Sequence, residues 1–185
     1  MMRVIGFLRG VENLLLGLWV GGLVFLAAFT APVIFKAFAS RAAAGAVVAV
    51  ILQKFSRMEY LLALILFFVA IVLLLITEKN WVRTYVSIAL ILMFLFVTLY
   101  GRVWRPQMSA LRVQVSNFDI PAEQDTSPAR QEFEKLHRRY TALVTVNLLL
   151  GVSVLVLKGF EVAWRRRRDN YPPAGAGGLP ADADK

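Results

Sequence analysis

The sequence predicts an all-α integral membrane protein built as a four-helix bundle, and three observations carry that expectation. Four long apolar runs divide the chain, at residues 14–35, 60–77, 81–100 and 141–157. A helix crossing about 30 Å of hydrocarbon takes about 20 apolar residues; two runs reach that length and two come close, with amphipathic residues at their ends. The composition agrees: 58% of the 185 residues are hydrophobic and the mean hydropathy is +0.63, against about 45–50% apolar in a soluble domain. Finally, four spans and their connections use nearly the whole length. The chain therefore reads as one membrane domain, 1–168, and a tail, 169–185, with proline and glycine but no apolar period, expected to be disordered.

Span one follows Arg3 and Arg9, a start that superficially resembles a secretory signal. Its apolar run exceeds the usual length of such signals, and Pro32 follows the small residues where cleavage would fall, so it reads as an uncleaved span. Gly17 and Gly21, four apart, share a helix face and would let another helix approach closely. Residues 42–52 form a fifth apolar stretch, flanked by Lys36, Arg41, Lys54 and Arg57. It is too short to span, so it is interfacial, re-entrant or packed on the bundle, or it runs straight into span two. The turn Glu78-Lys79-Asn80 makes spans two and three antiparallel neighbours.

Span three continues past the lipid, because Trp104, Met108, Leu111 and Val115 keep helical spacing. Pro106 should kink that helix or mark where it restarts. Residues 116–127 are a polar loop. Ser127 before Pro128 is an N-cap followed by a first-turn proline. Helix four therefore starts near Pro128 and runs to about Trp164, with Arg130, Glu134 and Arg138 as an i,i+4 charge ladder. Helices three and four then extend beyond the bilayer as a hairpin.

The net charge of +9 does not point to nucleic acid. Its arginines sit at the ends of apolar runs and at 165–168, where cations meet lipid headgroups. With no cysteine, disulfides, thiolate metal sites and cysteine nucleophiles are excluded. Lysines and arginines divide almost evenly between the two sides. Four consecutive arginines after span four are hard to translocate, which favours cytoplasmic termini, in a bacterial inner membrane.

One set of residues stands out. Glu59, Tyr60, Tyr100, Arg102 and Tyr140 fall at one depth, with His137 a turn away. Ionisable groups at such depth are costly unless paired, so they form a candidate polar surface cluster. A Glu59–arginine salt bridge fixing helix ends is the plainer account. His137, the only histidine, is by residue type a candidate pH switch or metal ligand, but it lies in a charged stretch beside Arg138 and Arg139, where an ordinary headgroup-level histidine is the plainer account. Glu12 and Asn13 open span one at the opposite surface, and Asn147 inside span four should hydrogen-bond a neighbouring helix. No catalytic motif, metal-ligand set or cofactor signature is present, so the expectation is no catalytic residue, no metal and no cofactor.

Four segments in order carry a family resemblance: Leu14-Leu15-Leu16-Gly17-Leu18-Trp19-Val20-Gly21-Gly22 leading through Pro32-Val33-Ile34-Phe35 to Lys54-Phe55, then Arg102-Val103-Trp104-Arg105-Pro106-Gln107-Met108, then Phe133-Glu134-Lys135-Leu136-His137-Arg138-Arg139-Tyr140, then Asn147-Leu148-Leu149-Leu150-Gly151. Over about residues 10–160 the chain resembles domain-of-unknown-function family 4149, which includes bacterial members and proteins like vertebrate transmembrane protein 205. The resemblance implies a four-span helical membrane protein and no established activity. It draws attention to Trp104, Pro106, His137 and Asn147 as motif positions.

Three readings of function follow. The first is a non-enzymatic protein acting by helix packing with itself, as a homo-oligomer, or with a membrane partner. The second is a small transporter or pore subunit. The third is a membrane-bound metal or redox protein using His137, Glu59 and Met108. A filled apolar core favours the first, and a polar-lined cavity the second.

Overall fold

The computed structural model describes residues 2–78, 80–115 and 117–170, with backbone alone for Met2 and 161–170. The expected tail falls mostly on 171–185, outside the described residues. Every regular element is helical: α1 (Met2–Phe25), α2 (Ala31–Ala37), α3 (Arg41–Ile76), α4 (Trp81–Thr98), α5 (Arg105–Gln114) and α6 (Pro128–Asn170). Wide π turns, Leu26–Thr30 and Leu99–Trp104, join α1 to α2 and α4 to α5. The result is four rods, each long and apolar enough to cross a membrane.

Both wide turns have the same cause. Pro32 and Pro106 have no N–H to give to the preceding turn, so the helix must re-register around them. It does so by i→i−5 bonding just ahead of each proline: Ala31 N–H bonds Leu26 O, and Arg105 N–H bonds Tyr100 O. Each proline then occupies the first turn of a new helix, where its missing donor costs nothing. Pro106 thus marks a restart, as its position predicted.

The 42–52 stretch is not a separate element. It is the first third of α3, which runs unbroken for 36 residues into span two. Ser40 starts it, its hydroxyl oxygen accepting from Ala43 N–H at 3.1 Å. Asn80 caps α4 through Arg83 N–H at 2.7 Å, and the Ser127 hydroxyl accepts from Arg130 N–H at 3.4 Å at the start of α6. The expected Arg130–Glu134 step of the charge ladder forms at 3.2 Å. Helix α6 runs past Trp164 to Asn170.

Helix α1 packs on α3 and α6, and α4 packs on the same two, giving a square with α1 and α4 on one diagonal. The core between the rods is apolar: Leu16, Leu66, Ala70, Leu90, Met93 and Val154 are each at most 1% exposed. Close approach of helices depends on glycines other than the expected pair. A Cβ on Gly151 would stand 2.6 Å from Val20 Cγ2, and one on Gly22 would stand 2.7 Å from Phe55 Cε2. A Cβ on Gly17 or Gly21 would meet nothing within 4 Å among the described residues.

The loop ahead of α6 is tied back to the start of α3. The Ser40 hydroxyl and Ala42 N–H both donate to Asp119, at 2.9–3.0 Å. Arg112 donates to Gly45 O at 2.9 Å and to Ala42 O at 3.2 Å. The Ala42 N–H, and after it the Ser40 hydroxyl, hold the Asp119 carboxyl below the usual aspartate range. A depressed value means this tie stabilises the fold above the ordinary aspartate pKa of about 3.9 and loses its effect as pH falls through the lower folded value. We expect the loop to become open to pepsin only in strong acid, whereas Asp119→Ala should be cleaved there already at the upper end of the pepsin range. Identical cleavage of the two proteins throughout would show that the tie carries no stability.

Candidate functional site

Two polar levels interrupt the apolar core, and each takes one residue from each rod. The upper level gathers Trp19 of α1, Glu59 of α3, Tyr100 of the second π turn and Asn147 of α6. Trp19 Nε1–H donates to Glu59 Oε1 at 3.0 Å, and the Tyr100 hydroxyl donates to the same oxygen. Asn147 Nδ2 in turn donates to the Tyr100 hydroxyl oxygen at 3.2 Å. All four side chains are essentially buried. The π turn contributes directly, because the extra residue it accommodates sets the direction in which Tyr100 leaves the helix. Asn147 Oδ1 stays buried without a partner.

The lower level gathers Glu12 of α1, Ala70 of α3, Arg83 of α4 and Lys158 of α6. Arg83 grips the Glu12 carboxylate with two parallel bonds, Nη1 to Oε2 at 3.0 Å and Nη2 to Oε1 at 2.9 Å. Lys158 Nζ donates to Oε2, and Arg83 Nη2 also reaches Ala70 O at 3.5 Å. Glu12 is fully buried and Arg83 is 6% exposed. Eleven residues separate Glu59 from Ala70, and eleven separate Asn147 from Lys158. At 1.5 Å per residue the levels are about 16 Å apart along α3 and α6, about 10 Å from Glu12 to Trp19 on α1 and about 25 Å from Arg83 to Tyr100, where the long arginine side chain makes up the difference.

The cluster expected at the membrane surface is only partly assembled. Glu59 and Tyr100 meet, and Tyr140 packs edge-on against Tyr100, ring centres 5.5 Å apart. Tyr60 lies to the side, under the Arg102 guanidinium at 4.6 Å, and among the described residues the hydrogen bonds to Glu59 come from Trp19 and Tyr100, with no arginine in a salt bridge to it. His137 does not join: it is exposed and stacks on Phe133 at 5.9 Å. The reason is angular, since Leu136, its neighbour in sequence, takes the inward position on α6. Of the other motif positions, Trp104 packs on the core, Pro106 is exposed in the first turn of α5, and Asn147 bonds a neighbouring rod as expected.

A comparison with known families bears on these geometries. Residues 14–117, more than half of the chain, match the family described as "Domain of unknown function (DUF4149)". The chain belongs to the DUF4149 family. The DUF4149 match includes Trp19, Glu59, Arg83 and Tyr100, while Asn147 and Lys158 lie on α6 beyond its end. No curated protein and no solved structure gave a match.

Sequence reasoning missed Trp19 and the pairing of Glu12 with Arg83 and Lys158. A signal for the pairing existed: one acid and two bases stand at the ends of three apolar runs that four spans place on the same side. Nothing local marks Trp19, whose partner lies 40 residues away. Chemically, the upper level offers one carboxyl met by neutral donors. Among the described residues no three His, Cys, Asp or Glu side chains come together. What both levels do is join four helices.

Proposed function

We propose that this chain is a non-enzymatic membrane protein that acts by packing its outer helix surface against another membrane helix, from a second copy or a partner. One observation carries the reading. The core side chains are buried, yet a Cβ on Gly17 or Gly21 of α1 would meet nothing within 4 Å among the described residues. Small residues allow close helix approach in lipid, where packing and not the hydrophobic effect drives association. Since the fold itself makes no use of this pair, the pair is free for contact between molecules. The buried apolar core supports packing as the mode of action. In this reading the termini are cytoplasmic in a bacterial inner membrane, and α5 with the start of α6 projects past the headgroups as a hairpin.

The chain contains no cysteine, so Gly21→Cys provides a single thiol. We expect this variant to cross-link in native membranes, to itself or to a captured helix. Adding Gly17→Leu should abolish the cross-link while leaving the thermal unfolding of the purified protein unchanged. A Gly17→Leu protein that associates as the wild type does would remove the basis for the proposal.

A further inference from the structure

Among the described side chains, the lower polar level holds more positive charge than negative. Glu12 is the one carboxylate there among the described side chains. Two cations grip it, Arg83 and Lys158, and a third, Arg9, stands one turn before Glu12 on α1, near enough for its charge to bear on Lys158. Removing cations from water is expensive unless each is paired and hydrogen-bonded. Glu12 satisfies two Arg83 nitrogens and one Lys158 donor. Arg83 Nε remains buried without a partner, and an ammonium has two more protons to give. Arg9 and Lys158 are both only partly covered, so a ligand arriving from the membrane side can reach them.

Position narrows the ligand class. Arg9 precedes the first apolar run, Arg83 opens the third and Lys158 follows the fourth, so all three stand where apolar helix gives way to the headgroup layer. Helices α1 and α6 pack side by side, and Lys158 reaches across to Glu12 of α1, one turn from Arg9. Four more arginines, 165–168, follow on the same helix. Basic seams between spanning helices bind phosphate-bearing anionic headgroups. We infer that Arg9 and Lys158 hold the phosphate of an anionic phospholipid between α1 and α6, with the Glu12–Arg83 pair behind them orienting Lys158. This inference is independent of the packing role proposed for Gly17 and Gly21, which lie further along α1.

The full chain in phosphatidylcholine micelles, with phosphatidylglycerol or inorganic phosphate added, tests it. Phosphatidylglycerol should raise the unfolding temperature and survive as a bound adduct in native mass spectrometry. Arg9→Gln should bind it about fivefold more weakly, the effect of one cation near an anionic surface. Its unfolding temperature without anionic lipid should not fall, because Arg9 repels Lys158, and Arg9→Lys should keep most of the gain. An undiminished lipid gain in Arg9→Gln overturns the inference. An equal gain from inorganic phosphate overturns the assignment to lipid. Equal destabilisation by Arg9→Gln and Glu161→Gln in phosphatidylcholine alone also overturns it, since the cations would then be neutralised from within α6.

Discussion

Glu12→Ala should be among the most destabilising single substitutions in this protein, at about 3–5 kcal/mol. The carboxylate is fully buried and receives three bonds from two cations on two other helices. Deleting it leaves Arg83 uncompensated in the interior and takes from the half-buried Lys158 its partner, and that loss exceeds the net worth of the ion pair itself. The exposed Lys135–Glu132 pair is the internal control. Its atoms are 3.8 Å apart with both side chains more than half exposed. Glu132→Ala should therefore change stability by no more than about 0.5 kcal/mol. Thermal unfolding of the purified protein, followed by helix content, reads both. The triple replacement Glu12→Leu, Arg83→Leu, Lys158→Met should recover much of the loss, because an apolar trio needs no partners. A Glu12→Ala protein that melts with the wild type would mean that the lower level is not closed in solution.

The second large effect is expected at Gly151. Its added Cβ alone would lie 2.6 Å from Val20 Cγ2 and 3.1 Å from Met93 Cε, both in the buried core. Gly151→Leu must push α6 away from α1 and α4, at a cost of about 1–3 kcal/mol or more. Because Asn147 sits one turn away on α6, the displacement should also loosen its bond to Tyr100. The expected signature is a lower unfolding temperature that Val20→Ala partly restores, since that change removes the first clash. An unrestored loss would place the clash elsewhere. Gly17→Leu makes the opposite comparison, an equal increase in volume into open space.

These two predictions also show which parts of the structure are legible in a sequence. Apolar length revealed the four rods, and punctuation revealed their ends: Ser127 before Pro128 caps α6, and Pro106 restarts a helix. Such signals are local, so a window of residues contains them. The pairings are not local. Glu12 and Arg83 lie 71 positions apart, and Ser40 and Asp119 lie 79 apart. Which charge meets which depends on the rotation of each rod about its own axis, and hydropathy does not encode rotation when most faces are apolar. The glycines illustrate the point. Gly17 and Gly21 have the expected four-residue spacing but face outward, whereas Gly22, one residue and about 100° further round, meets Phe55. The same angular uncertainty put His137 near the Glu59 group, although only its depth was legible.

The two polar levels have a mechanical consequence. A rod pinned at a single height can still pivot or slip by a turn and find new neighbours. Pinned twice, about 16 Å apart, it behaves like a vernier: any slide or twist must misalign both marks at once. The middle of this molecule should therefore move as a rigid body. Whatever shape change accompanies its work belongs at the ends of the rods, and a force applied to the first would be delivered intact to the far tip of the last.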